Sequence, residues 1–409
     1  MIKFKLSKNI SLASIADSDE YIAPQQYSHD HYILYDKRRD KDFLINATVK
    51  YFIDKFSVPK TQTEMLAEIA SDVQDDKTEL KETCSAFFNF LCAKKILLPV
   101  DTDETFFSAA PLFKKGEKIK EDIIVLEVLS ERQYIDIYRV INKASNRVYV
   151  IKLLNGNKIK DEKSYRKELS ELEREYRILK NVDHVPMVCK AYSFDNEQEH
   201  FAYITLEYIR GKSLTDYLDQ TKALNEEWCL RIIKSILEAF SLLHASNTIH
   251  GDIHSSNILV LRNKGIKIID LGLSRNVEIE KNEVLNFGGV NFYMPPERIN
   301  TSSLNKYLKE PDLYSDVYQI GLLIYLVLYN KLPFDGFIWE ELAANIKGSN
   351  AIFPDVSFLN YAVSAKLVLV IQKCLHKVPG ERYKNAIEIL EDFKKLVLEE
   401  NKTVSKSKG

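Results

Sequence analysis

The pattern of apolar and polar positions in the first hundred residues predicts a β-hairpin followed by three helices. Residues 31–35 and 42–45 alternate weakly, and the charged stretch between them predicts a turn, which together predict the hairpin. After residue 46, apolar side chains recur every three or four positions, the spacing of one helix face. The predicted buried faces are Val49, Phe52, Ile53 and Phe56, then Met65, Leu66, Ile69 and Val73, then Leu80, Cys84, Phe87, Phe88, Leu91 and Cys92.

Local signals set the ends of these helices. Pro59 ends the first helix because proline cannot continue it. Thr61 predicts the N-cap of the second helix, and Glu64, three residues later, completes a capping box. The third helix is predicted over 78–95. A hairpin followed by three helices predicts a small winged-helix-like domain over 1–104.

Beyond this domain the pattern changes. Residues 105–122 mix charges with a few aromatic side chains and predict a linker. Short apolar runs then predict strands, and a stretch dense in lysine, arginine and glutamate predicts a helix. The strands cover 123–129, 135–140, 147–153, 201–207, 258–261 and 266–269, the helix covers 164–179, and the longest apolar run covers 320–329. The predicted fold class is α+β, and residues 401–409 predict a disordered tail.

Composition argues against several classes of protein. The 409 residues are 45% hydrophobic and carry a net charge of −2, so no strong field favours nucleic acid or an anionic membrane. Five scattered cysteines indicate reduced thiols rather than a disulfide framework or a zinc site. The N-terminus lacks the apolar core of a signal peptide, and the apolar run 320–329 is about half the length that crosses a bilayer. We therefore expect a soluble, cytoplasmic protein without nucleic-acid or membrane partners.

Three polar side chains lie at the ends of the predicted 258–261/266–269 hairpin. Asp252 and Asn257 precede it, and Asp270 follows it. Phosphoryl transfer from ATP needs a carboxylate that orients the attacking hydroxyl and oxygen ligands that hold Mg²⁺ against the phosphates. This spacing favours such a site over an accidental group of surface polar residues.

The protein kinase family has catalytic and metal-binding loops that resemble two segments here, His-Gly-Asp-Ile-His-Ser-Ser-Asn at 250–257 and Asp-Leu-Gly at 270–272. The resemblance implies ATP and Mg²⁺ as cofactors. It implies that Asp252 orients the substrate hydroxyl and that Asn257 and Asp270 hold the metal. His254 stands where these kinases usually have a lysine that steadies the γ-phosphate. A catalytic role for His254 and a purely structural hydrogen bond are both open.

The kinase resemblance covers about 270 residues, with a small lobe over 123–209 and a large lobe over 210–400. Lys152 ends a strand as the family's phosphate-binding lysine does, and Glu175 stands where the family has its glutamate partner. Glu171, one helical turn earlier, is the competing partner. The residues implied to contact the nucleotide are Lys152, Glu207, Ile209, Leu259, Ile137 and Val150.

Three further positions match the large lobe of the family. Segment 289–297 resembles the end of the activation segment, and Arg382 is implied to pair with Glu297. Asp316, near the start of the apolar helix, is implied to accept hydrogen bonds from backbone amides of the catalytic loop. Five separated motifs in the family's order predict a two-lobed kinase-like fold.

Two departures from the family pattern leave alternatives open. Residues 130–135, where the phosphate loop should carry three glycines, contain none, and Glu131 places an acid there. A pseudokinase scaffold is therefore an alternative to an active enzyme. Gly251 replaces the usual arginine, so switching by phosphorylation of the activation segment is not expected. The His-Gly-Asp sequence also resembles aminoglycoside phosphotransferases and lanthipeptide synthetase kinase domains, but segment 289–297 argues against a small-molecule substrate.

The N-terminal domain resembles the PqqD-type peptide-binding domain in three segments: 42–48, the helix at 61–73, and the Phe-Phe-containing stretch 87–97. This resemblance implies that the leader of a ribosomally made precursor peptide adds a strand beside the hairpin and packs on the third helix. A purely structural helical domain is the alternative. DNA binding is disfavoured, because residues 1–104 carry 18 acidic against 14 basic side chains.

These features predict an ATP-dependent Ser/Thr kinase that phosphorylates a precursor peptide held through its leader. In the lanthipeptide enzymes that it resembles, the phosphate is later eliminated. The sequence contains no evident lyase or cyclase segment, so we expect a partner lyase or cyclase. A pseudokinase scaffold and a bacterial-type signalling kinase with a regulatory N-terminal domain are the alternatives.

Overall fold

A computed structural model gives the fold of the chain, which divides by contacts into two compact units. The first unit comprises Met1–Tyr138 and Asn155–Lys160, and the second comprises Arg139–Leu154 and Asp161–Gly409. The structure describes residues 3–7, 10–14, 31–36, 41–73, 78–93, 96–101, 111–131, 134–159, 161–197, 200–220, 224–263, 265–277, 291–299, 310–334, 339–359 and 361–406.

The described residues up to 101 form a small sheet, a strand pair and three helices. The strands are β1 (Phe4–Leu6), β2 (Ile10–Ser14), β3 (His31–Asp36), β4 (Lys41–Asn46) and β5 (Leu97–Pro99), and the helices are α1 (Ala47–Asp54), α2 (Gln62–Val73) and α3 (Thr78–Ala93). β2, β3 and β4 form an antiparallel sheet in that order, and β1 pairs with β5. The predicted β3–β4 hairpin and three helices are confirmed. The pattern did not predict β1, which has three residues, or β2, which has five.

The predicted helix faces form the core of this region. The buried members are Phe52, Ile53, Phe56, Met65, Ile69, Phe88 and Leu91, and the side chains of Val73 and Leu80 lie outside the described residues. The rings of Phe52 and Phe87 pack edge to face with centroids 4.8 Å apart. This geometry is favourable for aromatic pairs beyond the area they bury.

The capping box at the start of α2 is confirmed. The Glu64 N–H donates to Thr61 Oγ1 at 3.1 Å, and the Thr61 N–H donates to Glu64 Oε2 at 2.7 Å. Two backbone donors that the helix itself leaves unpaired are thereby satisfied.

The first unit continues with β6 (Lys118–Lys120), β7 (Ile123–Glu131) and the first half of β8 (Ile135–Asn142), which follow one another in the sheet order. β6 pairs antiparallel with β7. β6 lies near the end of the segment 105–122 that is predicted as a linker, and residues 102–110 are outside the described part. The pattern missed β6 because a three-residue strand shows no period.

A buried polar cluster around Asp136 joins this region to residues 155–158. The Asp136 carboxylate is fully buried and accepts hydrogen bonds from the Leu112 N–H at 3.1 Å, the Tyr138 hydroxyl at 3.1 Å and Asn155 Nδ2 at 2.8 Å. It also pairs with Lys158. These bonds hold residues 112, 136–138 and 155–158 together within the first unit.

In the second unit, the second half of β8 is followed in the sheet order by β9 (Arg147–Asn155), β11 (Phe201–Glu207) and β10 (Ala191–Asp195). Helix α4 (Glu162–Asn181) lies between β9 and β10 in the chain. Asp161 caps it, since the Ser164 N–H donates to Asp161 Oδ1 at 2.9 Å. The predicted helix over 164–179 is confirmed, and it is two residues longer at each end than predicted.

The rest of the second unit is mainly helical around a short sheet. The elements are β12 (Gly211–Ser213), α5 (Leu214–Asp219), α6 (Glu226–Ala245), β13 (Thr248–Ile249), β14 (Ile258–Leu261), β15 (Ile266–Ile268), β16 (Arg275–Asn276), α7 (Leu313–Tyr329), α8 (Trp339–Gly348), α9 (Tyr361–Cys374) and α10 (Ala386–Lys406). The predicted β14–β15 hairpin is confirmed, and α7 contains the apolar run 320–329, where the kinase resemblance implies a helix.

Two observations concern the helices as a group. α10 continues to Lys406, which corrects the predicted disordered tail over 401–406. Residues 407–409 lie outside the described part. Of the helices that the structure describes, none has both the length and the apolarity required to cross a membrane.

Candidate active site

The loop between β13 and β14 is held by a residue in the first turn of α7. Asp316 is fully buried there, and its carboxylate accepts hydrogen bonds from the His250 N–H at 2.7 Å and the Gly251 N–H at 2.9 Å. His244 Nε2 lies 3.0 Å from the same carboxylate. The predicted contact between Asp316 and this loop is confirmed, and it holds the backbone that carries Asp252.

The Asp252 side chain is about one fifth exposed, so it can reach a substrate. Its Oδ2 atom lies 3.6 Å from His254 Nε2, and the two side chains are 19% and 13% exposed. Asn257 Nδ2 donates to the Asp252 carbonyl at 3.1 Å, which leaves the amide oxygen of Asn257 to face another partner. The loop thus combines a carboxylate, an imidazole and an amide oxygen.

Lys152 lies at the centre of a buried charge cluster. Its Nζ donates to Glu175 Oε1 at 2.8 Å and Oε2 at 2.7 Å, and to Asp270 Oδ1 at 3.0 Å. Burial by itself would lower the pKa of Lys152, but the carboxylates of Asp270 and Glu175 outweigh burial and hold the pKa above its usual range. The ammonium group is therefore charged at neutral pH.

The structure shows which of the two candidate glutamates pairs with Lys152. Glu175 contacts Lys152, whereas Glu171 Oε2 accepts a hydrogen bond from Arg174 Nε at 3.1 Å. Burial raises the pKa of Glu175, and the charge of Lys152 opposes this effect.

Asp270 has an unusual backbone conformation, with a φ of +65°. Few residues other than glycine adopt this left-handed region, and aspartate is among those that do. The Gly272 N–H donates to Asp270 Oδ1 at 3.1 Å, the oxygen that also contacts Lys152. The strained turn therefore fixes this carboxylate at the exit of the β14–β15 hairpin.

The segment after β11 offers backbone groups to a planar ligand. The Glu207 side chain is occupied by Lys267 at 2.7 Å and by the Lys190 N–H at 3.2 Å. The Ile209 carbonyl accepts from the Gly211 N–H at 3.1 Å. No group within the described part of the chain accepts a hydrogen bond from the Ile209 N–H, which suits it to an adenine ring nitrogen.

The apolar residues predicted to contact the nucleotide do not all belong to the same unit. Val150 on β9 and Leu259 on β14 are partly exposed in the second unit. Ile137 is partly exposed on the half of β8 that belongs to the first unit. The glycine-free stretch also belongs to the first unit, where β7 extends through Glu131 and residues 132–133 lie outside the described part.

Sequence reasoning missed several side chains that support this site. Gln319 on α7 accepts from the Ile253 N–H at 3.0 Å and donates to the Tyr293 carbonyl at 3.2 Å. Burial lowers the pKa of His250. The buried ring accepts a hydrogen bond from the Asp252 N–H at Nδ1, at 3.3 Å, and so helps to hold the backbone that carries Asp252. Gln319 lies one helical turn after Asp316 on the same helix. This spacing is the sequence feature that could have predicted its contact with the same loop.

The predicted pairing of Glu297 with Arg382 is confirmed as a two-bond ion pair. Arg382 Nη1 donates to Glu297 Oε1 at 2.9 Å, and Nη2 donates to Oε2 at 2.8 Å. The Arg382 side chain is buried, and such bidentate pairs are stronger than single contacts. The pair ties the segment at 296–298 to the turn before α10.

The donor set of the second unit fits Mg²⁺ and a nucleoside triphosphate. Mg²⁺ is usually held by one or two carboxylates together with phosphate oxygens, and Asp270 and Asn257 supply a carboxylate and an amide oxygen. The charged Lys152 suits a phosphate, and the Ile209 N–H suits the base. No group of three or more His, Cys, Asp or Glu side chains in the described residues is arranged to hold a metal without a ligand's help.

Comparison with known proteins agrees with this geometry. The family described as protein kinase domain matches residues 125–393. Relatives include the serine/threonine-protein kinase cds1 of Schizosaccharomyces pombe, 25% identical over 70% of this chain and 63% of its own length, and PrkC of Bacillus subtilis, 27% identical over 68% and 41%. NUAK family SNF1-like kinase 1 of Homo sapiens is 29% identical over 54% and 31%. The matched part of the chain thus covers between about a third and two thirds of the length of these relatives. It belongs to the protein kinase family.

Proposed function

We propose that the chain is an ATP- and Mg²⁺-dependent Ser/Thr kinase whose substrate is a ribosomally made precursor peptide held by its leader. The observation that carries the kinase half is the set of contacts at Lys152, which joins Glu175 and Asp270 at 2.7 to 3.0 Å. A scaffold without chemistry has no evident need for a buried cation between two carboxylates, since such clusters are costly to desolvate.

Each residue of the site has a role in this proposal. Lys152, held by Glu175, binds the α- and β-phosphates, and the backbone at Glu207 and Ile209 binds the adenine. Asn257 and Asp270 hold Mg²⁺, which when bound neutralises charge on the phosphates. Asp252 orients the substrate hydroxyl and receives its proton. His254, 3.6 Å from Asp252, steadies the transferred phosphate.

The peptide half of the proposal rests on the N-terminal region. A three-stranded sheet with β4 at one end of its strand order is followed by three helices, the arrangement expected of a PqqD-like, winged-helix-type recognition domain. An extended leader that pairs with a sheet edge gains backbone hydrogen bonds along its length, and neighbouring side chains select its sequence. A separate lyase or cyclase would then process the phosphorylated peptide.

Transfer of labelled phosphate tests the proposal. The full chain is incubated with Mg-ATP and a short Ser/Thr-containing peptide encoded beside it, together with the Asp270→Asn variant. We expect label on the peptide and a loss of roughly 100-fold in the variant, the scale of losing one electrostatic contact to the reacting group. A wild-type chain that transfers no label and shows no nucleotide-dependent thermal shift would favour the pseudokinase scaffold.

A bacterial-type signalling kinase is the second candidate. It is favoured by the similarity to PrkC of Bacillus subtilis and to the probable serine/threonine-protein kinase PknB of Lactococcus lactis, 27% identical over 249 residues. In that case the N-terminal region would be regulatory. Phosphorylation of the peptide at an equal rate with and without its leader would support this candidate.

A further inference from the structure

Arg174 is a buried, hydrogen-bonded arginine on helix α4 that lies beside the Lys152 cluster in the sequence. It directly precedes Glu175, and only 3% of the residue is exposed. Its Nη1 donates to the Ser274 carbonyl at 2.6 Å, and its Nη2 donates to the Gly272 carbonyl at 2.7 Å. Its Nε donates to Glu171 at 3.1 Å, which orients the guanidinium along the helix. Arg174 therefore joins α4 to the segment that directly follows Asp270.

This contact closes a ring of interactions around Lys152. Glu175 reaches Lys152 from α4, and Asp270 reaches it from the segment 270–274. Arg174 connects the same two elements a few ångströms away, through two backbone carbonyls. A planar guanidinium suits this task because its donors are fixed relative to one another. Without it, the buried Ser274 carbonyl and the partly buried Gly272 carbonyl would lose their charged partner, and α4 would lose this direct tie to the metal-binding segment.

The sequence of the activation segment supports a permanent tie of this kind. From Arg275 to Phe292 the chain contains no serine, threonine or tyrosine. The hydroxyls on either side are buried and bonded: Ser274 Oγ donates to the His250 carbonyl at 3.0 Å, and the Tyr293 hydroxyl donates to Ser255 Oγ at 3.0 Å. The stretch therefore contains no hydroxyl that could be phosphorylated to order the segment.

The position at which many kinases carry an arginine also has no room for a side chain here. Gly251 has a φ of +78°, and a Cβ atom at this residue would lie 2.7 Å from the Leu273 carbonyl oxygen. No side chain fits without displacing backbone. The chain thus lacks both a phosphate acceptor in 275–292 and the usual arginine that would bind the phosphate.

We propose that Arg174 is a positioning residue that does the work of activation-segment phosphorylation. It holds α4 and segment 270–274 in the arrangement that pairs Lys152 with Glu175 and Asp270, so the enzyme needs no phosphate between Asp270 and Glu297. This inference rests on the proposed kinase activity, and it assigns a regulatory consequence to the same site.

The first test compares Arg174→Met with Arg177→Met. Arg177 lies on the same helix but is exposed, so it is the matched control. We expect kcat to fall about tenfold or more in Arg174→Met, the scale of losing charge-assisted hydrogen bonds to buried carbonyls, while KM for ATP changes far less. Arg174→Lys, which retains one donor group, should recover part of the rate. Equal kcat values for the two methionine variants would overturn the proposal.

A double-mutant cycle separates positioning from simple loss of stability. If Arg174 acts by holding Glu175 in place, Arg174→Met should cost little more in a Glu175→Gln background. Fully additive losses in kcat would overturn the proposed mechanism. Wild-type enzyme treated with a phosphatase, with its unphosphorylated state verified by intact mass, should keep its activity within about twofold. Loss of activity on that treatment would contradict a phosphate-independent switch.

Hydrogen exchange provides a readout that does not need catalysis. In Arg174→Met the amides of α4 and of 270–274 should exchange faster than in wild type, whereas Arg177→Met should leave them unchanged. If wild-type protein transfers no phosphate, the kinase proposal fails, but the exchange comparison still decides whether Arg174 holds these elements together. Unchanged exchange in Arg174→Met would refute the positioning role.

Discussion

At the scale of single residues, two glutamates one helical turn apart on α4 have different partners. Glu175 holds Lys152, and Glu171 holds Arg174. We predict that Glu175→Gln lowers kcat about 10- to 100-fold, because a neutral amide holds a buried ammonium less well than a carboxylate does. Glu171→Gln keeps an acceptor for Arg174 and should change kcat less than about threefold. Steady-state kinetics with peptide substrate measures both, and a larger effect at Glu171 would reverse the assignment.

The backbone at Gly251 provides a second prediction at this scale. Gly116 and Gly251 both have positive φ values, +92° and +78°, but an added Cβ meets nothing within 4 Å at Gly116 and meets a backbone oxygen at Gly251. Gly116→Ala should cost about 1–2 kcal/mol of stability from backbone conformation alone. Gly251→Ala should cost more, because the Leu273 carbonyl must also move. Thermal unfolding compares them, and equal costs would show that the contact at Gly251 relaxes freely.

At the scale of secondary-structure elements, the capping box of α2 predicts a pH effect. Hydrogen bonds from the Thr61 N–H and hydroxyl hold the pKa of Glu64 below its usual value. A carboxyl with a lowered folded pKa stabilises the fold above the pKa of a free glutamate, about 4.3, and this stabilisation is lost as the pH falls through the folded pKa. Wild type should therefore exceed Glu64→Gln in stability at pH 7, and the difference should shrink as the pH falls below about 4.3. Denaturation followed by far-UV circular dichroism measures it, and a difference independent of pH would contradict this prediction.

The Asp136 cluster shows how one side chain holds three chain segments together. Asp136 is fully buried and binds Leu112, Tyr138, Asn155 and Lys158. Asp136→Asn should destabilise the protein by about 3–5 kcal/mol, because it leaves the Lys158 ammonium buried without its counter-ion. Adding Lys158→Met should recover part of that loss, since the unpaired charge is then removed.

A matched control for Asp136 lies in the second unit. Asp195 on β10 also accepts a tyrosine hydroxyl, that of Tyr203 at 3.2 Å, but it is only half-buried. Asp195→Asn should therefore cost less than about 1 kcal/mol, as expected of a polar contact near the surface. Urea denaturation compares the two variants, and a similar loss at both positions would mean that the buried cluster is not special.

At the scale of the whole molecule, the sequence predicted what local pattern or family resemblance indicates, and it missed distant contacts that neither of them indicates. The β14–β15 hairpin, the capping box and the pairing of Glu297 with Arg382 follow from local pattern or from resemblance. Arg174, Gln319 and Asp136 bind backbone groups far away in the chain, and a charged or polar residue gives no sign of such a partner. The strands β1 and β6 were missed because three residues carry no period.

The two-domain order of the proposed enzyme leads to a prediction about how the leader acts. If the N-terminal region only captures the leader, the tether raises the local concentration of the core peptide at Asp252. Removing the leader should then lower kcat/KM on the order of 100-fold or more through KM, with kcat nearly unchanged.

The leader supplied as a separate peptide distinguishes this tether from allosteric activation. A free leader cannot bring the core peptide closer, so it should not restore phosphorylation of a leaderless substrate. It should instead inhibit phosphorylation of the complete precursor, because both compete for the same sheet edge. A free leader that raises kcat for the leaderless peptide would mean that occupancy of the N-terminal region changes the catalytic machinery itself. Since Arg174 and Asp316 hold that machinery through hydrogen bonds within the second unit itself, the tether is the outcome that we expect.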